Sequence, residues 1–570
     1  MLPAGWSLHN KGPGISGSLN GPQNTPDAET QMAQLARNKI EARLRMAKLF
    51  QQYRAELNTN EHHVTVTSDP ASTEEKICLT VSEKKIACNL KNLPEKLPGS
   101  QVVVTPLNQS GSPEKQTYKG WVRHADLGQV YVELCETFLN HFAEGMRVNL
   151  KFAFNRLPMR HQHRAVTQVY KHRLKEVLFP TGQLSSHHSH LNRLLDLRSN
   201  PEQHMAIQHI LAHSAKPAPY LVFGPPGTGN IPPKLKLNCN LNPDENTFII
   251  PPIRALMRCK IMVTTLLTAG RLVGGGIPPG HYAYIFVDEA GQASESECII
   301  PIAGLLKPQR CQVVLAGDPK QLGPIITSQK AEKHGMGVSL LERLMSEVNI
   351  YQSHENYGFN NRFVTKLLRN YRSHPAILKI PNELFYESQL QPYACREQCG
   401  TYCRWEQLPK KGFPLIFHGV AGTDERDARS PSVYNMAEVE VLKGYLKTLV
   451  NHLLKKDGDS IGPGEIGIIA PYRKQVEKIQ NALQTDQDLK KENLENILVG
   501  SVEKFQGKEF NVILLSTVRS NPKLTLCGQQ ITVGFLDNEK RFNVAMTRAQ
   551  ALLIVIGDPR VLKTDETWNK

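Results

Sequence analysis

The sequence predicts an α/β protein with two parallel-sheet domains, preceded by a small β-barrel and an N-terminal helix. From residue 201 onward, apolar runs such as PYLVFG and NVILLST alternate with helix-length segments, which is typical of parallel strands covered on both faces. Between residues 76 and 156, short β-rich runs are separated by Gly, Pro and Asn, a pattern that favours a small barrel. Residues 28–57 place apolar side chains at helical spacing, which predicts one long amphipathic helix.

The order of these patterns divides the chain into segments. We expect a disordered N-terminus over 1–26, a helical segment and linker over 27–75, and the β-barrel over 76–160. The first α/β domain is expected over 190–350, a linker or insertion over 351–410, and the second α/β domain over 411–570. Strands are predicted at PYLVFG, KIMVTT, AYIFVDEA and QVVLAGD in the first α/β domain, and at PLIFHG, EIGIIAPY, NVILLST and ALLIVIGD in the second.

The charge balance favours a polyanionic partner. The 570 residues include 68 Lys and Arg against 53 Asp and Glu, a formal net charge of +15. Such an excess attracts nucleic-acid phosphates, although a basic, well-solvated surface would have the same composition.

The chain opens without a secretory leader, so we expect a cytosolic or nuclear protein with reduced thiols. It has no apolar run of about 18 residues, so we expect no membrane span. Cys395, Cys399 and Cys403 lack a fourth ligand alongside, so a structural zinc is not expected.

A loop of the type that binds nucleotide phosphates follows the first apolar strand, but the residues at its C-terminal end do not match the sequence pattern of such loops. Gly224, Pro225, Pro226, Gly227, Thr228 and Gly229 spell GPPGTG, the beginning of the GxxxxGK[ST] loop whose backbone N–H groups cradle nucleotide phosphates. A Lys for the phosphates and a Ser or Thr for magnesium should follow, but the residues are Asn230 and Ile231. The two prolines after them oppose the helix whose N-terminus should hold phosphate. We therefore expect impaired ATP hydrolysis in this chain.

Candidate catalytic groups follow the later strands. One strand ends in Asp288 and Glu289, where the first carboxylate can hold Mg²⁺ and the second can polarise an attacking water. Asp318 and Gln321, in the turn after the next strand, can sense a γ-phosphate and relay its loss. Arg372 in NYRSHP and Arg548 in AMTRAQ can stabilise the charge that develops in phosphoryl transfer. Taken singly, each of these residues also fits an ordinary surface acid, turn residue or salt-bridge arginine.

Eight motifs occur in the order and spacing of one family. NPEQ, GPPGTG, VDEA, GDPKQLGP, NYRSHP, APYRKQ, SVEKFQGKE and RFNVAMTRA resemble the motifs of the superfamily-one RNA helicases of the Upf-like group, and within it the Armitage or Moloney leukaemia virus 10 (MOV-10-like) helicases. The resemblance runs from about Tyr118 to the C-terminus. It implies two RecA-like parallel-sheet helicase domains that use ATP and Mg²⁺, with the Mg²⁺ at Asp288.

The resemblance also implies a role for each matching position. Gln203 would read the adenine edge, Tyr371 would stack on the adenine ring, and Glu509 would contact the ribose. Arg372 and Arg548 would act as arginine fingers. The RNA path would be lined by Thr264, Thr265, Pro471, Tyr472, Ser501 and Val502. These residue types bind phosphates without reading sequence, and an aromatic ring can stack on a base.

The resemblance also implies an activity, cellular processes, partners and a location for the protein. Such a protein would be a monomeric 5′ to 3′ translocase on single-stranded or structured RNA. It would work in RNA silencing and in mRNA or retroelement control. Its partners would be Argonaute-type silencing proteins and components of cytoplasmic ribonucleoprotein granules (P-bodies), with the nucleus as a second location.

Between the phosphate loop and VDEA, the chain is shorter than the family it resembles. Only 58 positions separate Asn230 from Asp288, and the resemblance resumes near Cys259. A break this abrupt is typical of skipped coding sequence or a faulty gene model. Because central sheet elements would be missing, we expect an unstable or rearranged first α/β domain. The C-terminus also stops soon after the last predicted strand, short of the family's further helices.

Two other functions fit the same residues. Without the loop lysine, the chain could act as a non-hydrolysing RNA-binding scaffold protein that retains the helicase fold. A DNA helicase of the same superfamily is disfavoured only by the resemblance. ATPase stimulation by single-stranded RNA, compared with DNA, separates the second alternative from an RNA helicase.

Overall fold

The computed structural model describes short segments and strands between residues 61 and 153, and then residues 156–182, 200–229, 251–326, 328–426, 432–454, 463–491, 497–520 and 538–569, with two short strands at 240–242 and 247–249. The N-terminus expected to be disordered and the long helix expected after residue 27 lie outside the described residues, as does Asn230. No helix in the described part of the chain is long and apolar enough to cross a membrane.

The N-terminal sheet has seven strands. They are β1 (Glu61–Val66), β2 (Lys76–Ile77), β3 (Lys85–Asn89), β4 (Gln101–Pro106), β5 (Tyr118–Asp126), β6 (Gln129–Leu134) and β7 (Arg147–Ala153), with helix α1 (Glu136–Leu139) before the last. Their order is β2-β1-β7-β4-β5-β6-β3, and all neighbours are antiparallel except β1 and β2. Alternate side chains of β4 are buried, which places Val102 and Val104 in the core of this sheet.

This sheet begins earlier than expected. The expected range began at residue 76, but β1 pairs with β7 from Glu61 onward, so part of the expected linker is a strand. The run EHHVTV has too few apolar residues to signal a strand by itself, and its pairing with β7 decides its conformation. The barrel range was also drawn too far toward the C-terminus, because a helix begins at Leu157.

The first α/β domain contains a four-stranded parallel sheet. Helices α2 (Leu157–Lys171), α3 (Lys175–Leu178) and α4 (Pro201–Leu211) lead into it. Its strands are β8 (Tyr220–Phe223), β11 (Tyr284–Val287), β12 (Gln312–Gly317) and β13 (Val364–Lys366). Their order in the sheet is β11-β12-β8-β13. The short strands β9 (Asn240–Asn242) and β10 (Thr247–Ile249) form a separate antiparallel pair. The helices are α5 (Ile253–Leu256), α6 (Leu266–Gly274), α7 (Glu295–Leu305), α8 (Gln329–Lys333) and α9 (Leu340–Glu347), with a 3-10 turn at Asn349–Tyr351.

Two predictions about this domain were wrong. The run KIMVTT is not a strand: its backbone is irregular until α6 begins, and Ile261 and Val263 are exposed. An apolar run becomes a strand only where a neighbouring strand pairs with it, and no described strand lies alongside this one. The range 351–410, expected as a linker, contains β13, which pairs in parallel with β8 and therefore belongs to the first sheet.

The strand β11 forms one edge of this sheet. Among the described strands it pairs only with β12. Its side chains at Ile285 and Val287 are buried, whereas Phe286 points to the other face and is 61% exposed. One face of this edge is therefore left uncovered by the described residues.

The second α/β domain contains a five-stranded parallel sheet. Before it lie the paired strands β14 (Arg369–Asn370) and β15 (Gln391–Pro392), with helices α10 (Pro375–Phe385) and α11 (Arg396–Cys399). The sheet strands are β16 (Leu415–Gly419), β19 (Ile466–Ile469), β20 (Leu498–Gly500), β21 (Phe510–Ser516) and β22 (Ala549–Gly557), in the order β16-β22-β21-β19-β20; β17 (Glu425–Arg426) and β18 (Val433–Tyr434) form a small antiparallel pair. The helices are α12 (Met436–Leu454), α13 (Arg473–Thr485), α14 (Gln487–Lys491), α15 (Val502–Phe505), α16 (Glu539–Met546) and α17 (Pro559–Leu562), with a 3-10 turn at Pro463–Glu465.

The two α/β domains share part of one apolar core. Phe385 on α10 packs against Phe542 on α16, with ring centroids 6.1 Å apart, and Phe542 packs edge-on against Trp568 at 4.8 Å. A second cluster, on the other face of the five-stranded sheet, contains the buried Trp405. The shared core positions the two domains around a common cleft.

A buried carboxylate organises the end of β21. Glu438 on α12 is fully buried, and its two oxygens accept hydrogen bonds from the Val518 N–H at 2.9 Å. The Ser516 hydroxyl donates to the same carboxylate at 2.6 Å. Burial raises the pKa of Glu438 to about 7. Val518 has a φ of +74°, an unfavourable value for a β-branched residue, and these bonds hold it there.

Candidate nucleotide cleft and RNA surface

The phosphate loop is fixed by hydrogen bonds to three of its carbonyls. It starts at the carboxyl end of β8, where the Gly224 N–H donates to the Gly317 carbonyl at 3.0 Å. The Asn370 amide donates to the Pro226 carbonyl at 2.7 Å, and the Tyr371 N–H donates to the Gly227 carbonyl at 2.7 Å. The amide of Gln203 donates to the Thr228 carbonyl at 3.2 Å. The NPEQ and NYRSHP motifs therefore hold the loop from two sides.

Two loop glycines are required by geometry. Gly227 and Gly229 have φ values of +70° and +105°, which favour glycine. A Cβ on Gly227 would lie 2.5 Å from the Arg372 Cβ, and a Cβ on Gly229 would lie 2.6 Å from the Gln203 Nε2. The loop therefore packs directly against two of the predicted site residues.

The predicted adenine contacts lie on one wall of the cleft. Asn200 caps α4: its side-chain oxygen accepts from the Gln203 N–H at 3.0 Å, and its amide donates to the Tyr371 hydroxyl at 2.9 Å. Tyr371 is 42% exposed, and its ring centroid lies 5.9 Å from that of Tyr393. Asn200 thus links Gln203 and Tyr371, and an aromatic face is open to a ligand.

The paired carboxylates stand at the carboxyl end of β11. Asp288 is exposed, and its Oδ1 accepts from the Glu289 N–H at 3.0 Å. Glu289 has a φ of +52°, a strained conformation for a non-glycine residue. Burial raises the pKa of Glu289, the Asp288 charge raises it further, and Arg548 and Arg372 oppose the shift. A carboxylate with a raised pKa, facing two arginines, is suited to accept a proton in a cleft.

Arg548 connects the two domains through Gln321. The Arg548 side chain is 1% exposed and donates to the Gln321 Oε1 at 3.1 Å. Gln321 in turn donates to the Asp318 Oδ2 at 2.8 Å. Burial and the neighbouring Arg372 lower the pKa of Arg548 to about 9, so the guanidinium stays charged at neutral pH. The arginine of RFNVAMTRA is therefore joined to the turn after β12.

Arg372 faces the same cleft from the NYRSHP motif. Its Nε donates to the Glu509 carboxylate at 2.6 Å, and its Nη1 donates to the Thr547 carbonyl at 3.2 Å. Glu509, predicted to contact ribose, is half exposed and paired with this arginine. The predicted site residues from both domains thus lie around one cleft, with their roles still predictions.

The predicted RNA residues lie at strand ends or helix starts. Thr264 and Thr265 are exposed, and the Thr265 hydroxyl caps α6 by accepting from the Thr268 N–H at 3.1 Å. Pro471 and Tyr472 follow β19, and Ser501 and Val502 follow the adjacent parallel strand β20. These two pairs therefore share one sheet edge, where ligands of parallel sheets bind. The Val502 side chain is buried in the core, so only its backbone can face that edge.

Three family descriptions match the chain. Residues 85–152 match the β-barrel domain of helicase MOV-10, and residues 234–329 and 336–560 match two AAA domain families. A Danio rerio protein that bears the name mov-10-B.1 is 45% identical over 84% of this chain and 54% of its own length. A Gallus gallus protein that bears the name MOV-10 is 37% identical over 96% of this chain and 64% of its own length. The chain belongs to the MOV-10-like helicases.

This membership confirms the resemblance and the fold class predicted from the motifs. The RNA helicase Mov10l1 of Homo sapiens is 40% identical over 64% of this chain and 34% of its own length. The chain spans about half the length of the Danio rerio relative. The residues of a MOV-10-like cleft can therefore be named here, whereas the activity of the whole protein is a matter for proposal.

Sequence reasoning named Asp318 but missed Tyr386 and Asn543, which form a buried chain of hydrogen bonds with it in the cleft. The Tyr386 hydroxyl donates to the Asp318 Oδ2 at 2.7 Å and accepts from the Asn543 amide at 2.6 Å. Asn543 also donates to the Lys320 carbonyl at 2.9 Å, across the domains. Burial raises the pKa of Asp318. One sequence feature could have pointed to Asn543, namely a polar Asn among the apolar residues of RFNVAMTRA. No sequence feature pointed to Tyr386.

The polar groups of the cleft are of the types that bind a magnesium nucleotide. Asp288 offers an exposed carboxylate, the ligand type that Mg²⁺ prefers, and two arginines face the neighbouring Glu289. These groups fit a magnesium nucleotide, with Asp288 as the residue that would hold the ion. For zinc, no cluster of three His, Cys, Asp or Glu side chains in the described ranges is suited to a metal, and Cys395, Cys399 and Cys403 are free thiols.

Proposed function

We propose that this chain is a superfamily-one RNA helicase of the 5′ to 3′ type, with ATP as its fuel, whose ATP hydrolysis is impaired in this form. The observation that carries the proposal is that Glu289, Arg548 and Arg372 all lie against residues 507–509. A Cβ on Gly507 would lie 3.9 Å from the Glu289 Oε1, the Arg548 Nη1 donates to the Lys508 carbonyl at 3.3 Å, and Arg372 donates to Glu509. These three groups come from separate motifs, and the two guanidinium groups oppose the raised pKa of the carboxyl group. Carboxylate and arginines around one cleft are what phosphoryl transfer requires.

Each group has a defined task in this proposal. Asp288 would hold Mg²⁺, and Glu289 would accept the proton of the attacking water. Arg372 and Arg548 would stabilise the charge that develops in phosphoryl transfer, and the loop Gly224–Gly229 would bind the phosphates. Gln321 joins Arg548 to the turn after β12, so a change at the phosphate would move both domains.

The impairment of ATP hydrolysis follows from the two residues that come directly after the phosphate loop. Asn230 supplies no positive charge for the β- and γ-phosphates, and Ile231 has no oxygen for the metal. In this form the cleft keeps its carboxylates and arginines and lacks the group that grips the triphosphate. We therefore expect weak nucleotide binding and little turnover.

RNA is the nucleic acid that we propose for this chain. The named human relative is an RNA helicase, and the net charge of +15 suits phosphate contacts. The path proposed for the RNA runs from Thr264 and Thr265 to the edge beyond β19 and β20. Work in RNA silencing and in mRNA or retroelement control, with Argonaute-type partners in cytoplasmic granules, is proposed from the family resemblance. Imaging of the tagged chain and its co-purifying proteins tests that part.

ATP hydrolysis with and without single-stranded RNA tests the proposal. Three chains are compared: the present one, a version with the helicase segment after Gly229 restored, and the restored version with Glu289→Gln. We expect RNA-stimulated turnover only in the restored chain, because it alone has both the loop lysine and the base. Stimulation by DNA rather than RNA, or turnover that survives Glu289→Gln, would refute the assignment.

A non-hydrolysing RNA-binding scaffold is the second candidate. Asn230 is the observation that favours it, because loss of the loop lysine removes hydrolysis, whereas the RNA edge beyond β19 and β20 lies in the second α/β domain. RNA binding by the present chain with no ATP dependence supports the scaffold. An RNA affinity that changes when ATP is added supports a helicase cleft that still senses nucleotide.

A further inference from the structure

Two stretches without acidic residues lie against each other in the first α/β domain. Residues 145–175 contain eight Lys or Arg and no Asp or Glu, and residues 246–287 contain four Lys or Arg and no Asp or Glu. The first stretch includes α2 and the second includes α6. Positive charge therefore accumulates where these helices meet.

Small residues on α6 allow the contact. The His161 ring lies over Gly270, where a Cβ would be 2.6 Å from the ring Nδ1. One turn further, a Cβ on Gly274 would lie 3.8 Å from the Arg164 Nη1. Glycines four residues apart thus leave room for two side chains that lie three apart on α2.

Like charges face one another at this junction. Arg271 directly follows Gly270, which the His161 ring covers, and Arg164 lies against Gly274 on the same helix. Burial lowers the pKa of His161, and the charges of Arg164 and Arg271 lower it further. The His161 Nε2 is buried without a hydrogen-bond partner. Both arginines are exposed, and within the described ranges neither forms an ion pair with an acidic side chain. Two exposed guanidinium groups on packed helices, without an acidic partner among the described residues, provide the recognition chemistry for a phosphate.

The junction continues the predicted RNA path. Thr265 caps the N-terminus of α6, and Thr268 and Arg271 are exposed further along the same helix. Six residues of helix separate Thr265 from Arg271, which is about 9 Å along the axis. A phosphate backbone that contacts the start of α6 can therefore reach Arg271 within a few nucleotides.

We propose that Arg164 and Arg271 extend the RNA-binding surface, so that single-stranded RNA runs from Thr265 along α6 onto α2. This inference rests on the proposed RNA-binding function and adds a segment of path that the helicase motifs do not contain. The arginines contact phosphodiester groups and read no base, because guanidinium forks match phosphate oxygens. The α2 helix becomes part of the RNA surface as well as the connection from the barrel.

Salt-dependent binding tests the inference. The full chain, Arg164→Gln, Arg271→Gln, the double variant and the matched control Lys563→Gln are titrated against a fluorescein-labelled 20-nucleotide oligouridylate between 50 and 300 mM KCl. Lys563 is exposed at the end of α17 in the second α/β domain, and its substitution removes the same charge. Each lost phosphate contact lowers the slope of log affinity against log salt by about 0.7 for single strands, so the double variant should lose about 1.4.

Each outcome bears on one proposal. Unchanged affinity and slope in the double variant, while the parent chain binds RNA, would overturn the extension and leave the RNA-binding function intact. No RNA binding by the parent chain would overturn the proposed function and the extension with it. The pair Arg164→Lys and Arg271→Lys keeps both charges and should restore the slope. A thermal midpoint equal to that of the parent shows that the loss is not unfolding.

Discussion

Replacing Glu438 by Gln should remove a pH dependence of stability from the second α/β domain. The pKa of this carboxyl rises from an ordinary 4.5 to about 7 on folding. Between those values the folded chain binds more protons than the unfolded chain, so stability is lost as pH rises from 4.5 to 7. About 2.5 pKa units at 1.36 kcal/mol each give roughly 3 kcal/mol. The amide of Gln is neutral throughout, and its oxygen can still accept from the Val518 N–H.

The assay follows the unfolding of this domain in the full chain. Trp405 is buried in the core beside the five-stranded sheet, so its ¹⁹F signal in 5-fluorotryptophan-labelled protein reports urea unfolding there. The Trp405→Phe variant assigns the signal. Part of the effect is already lost at pH 5, so between pH 5 and pH 8 the parent should lose about 2.5 kcal/mol relative to Glu438→Gln. Parallel stability curves for the two proteins over that range would refute the reasoning, because every other titrating group is common to both.

Three further predictions concern the cleft. Tyr371→Ala should weaken nucleotide binding by about 1–3 kcal/mol through lost stacking, whereas Tyr371→Phe loses only the bond to Asn200 and should bind nearly as the parent does; titration with a fluorescent ATP analogue measures both. Tyr386→Phe leaves Asp318 with one donor fewer, so the free energy of unfolding in urea should fall by about 1–3 kcal/mol. Gly227→Ala should lower the thermal midpoint, because its φ is positive and its Cβ would meet the neighbouring arginine.

Each of these has a decisive contrary result. Equal losses from Tyr371→Phe and Tyr371→Ala would show that the hydroxyl, and not the ring, carries the nucleotide contact. Unchanged unfolding in Tyr386→Phe would mean that Asp318 is already satisfied by Gln321. For the glycine, Gly444→Ala in α12 is the control: it has open space around its Cβ and should stabilise the helix by about 0.5–1 kcal/mol. Equal midpoints for the two glycine variants would contradict the strain at Gly227.

Motifs predicted the cleft because each one is local. A phosphate loop or a carboxylate pair follows its strand directly, and parallel strands bring their carboxyl ends to one edge. Asp288 and Gln321, which follow the adjacent parallel strands β11 and β12, could therefore be predicted to approach each other. Arg548 precedes β22, so this argument does not place it. The roles of all three residues stay predictions. The motif order also predicted the family and the fold class correctly.

Long-range pairing could not be predicted in the same way. Tyr386 and Asp318 are 68 positions apart, and Glu438 and Val518 are 80 apart, with no shared pattern in the chain. Whether a short run becomes a strand also depends on its neighbour. The polar-rich β1 gained a partner in β7, while the apolar KIMVTT found none among the described strands.

The edge strand β11 has a consequence for the behaviour of the purified chain. Among the described strands β11 pairs only with β12, so its outer backbone groups and the exposed Phe286 form a template onto which a strand from another molecule can add. Self-association should therefore increase with concentration and become evident as a rising scattering mass at high protein load. Phe286→Lys would place a charge on that edge and should suppress the association without touching the cleft. A cell that makes this form would have to keep its concentration low or cover that strand with another protein.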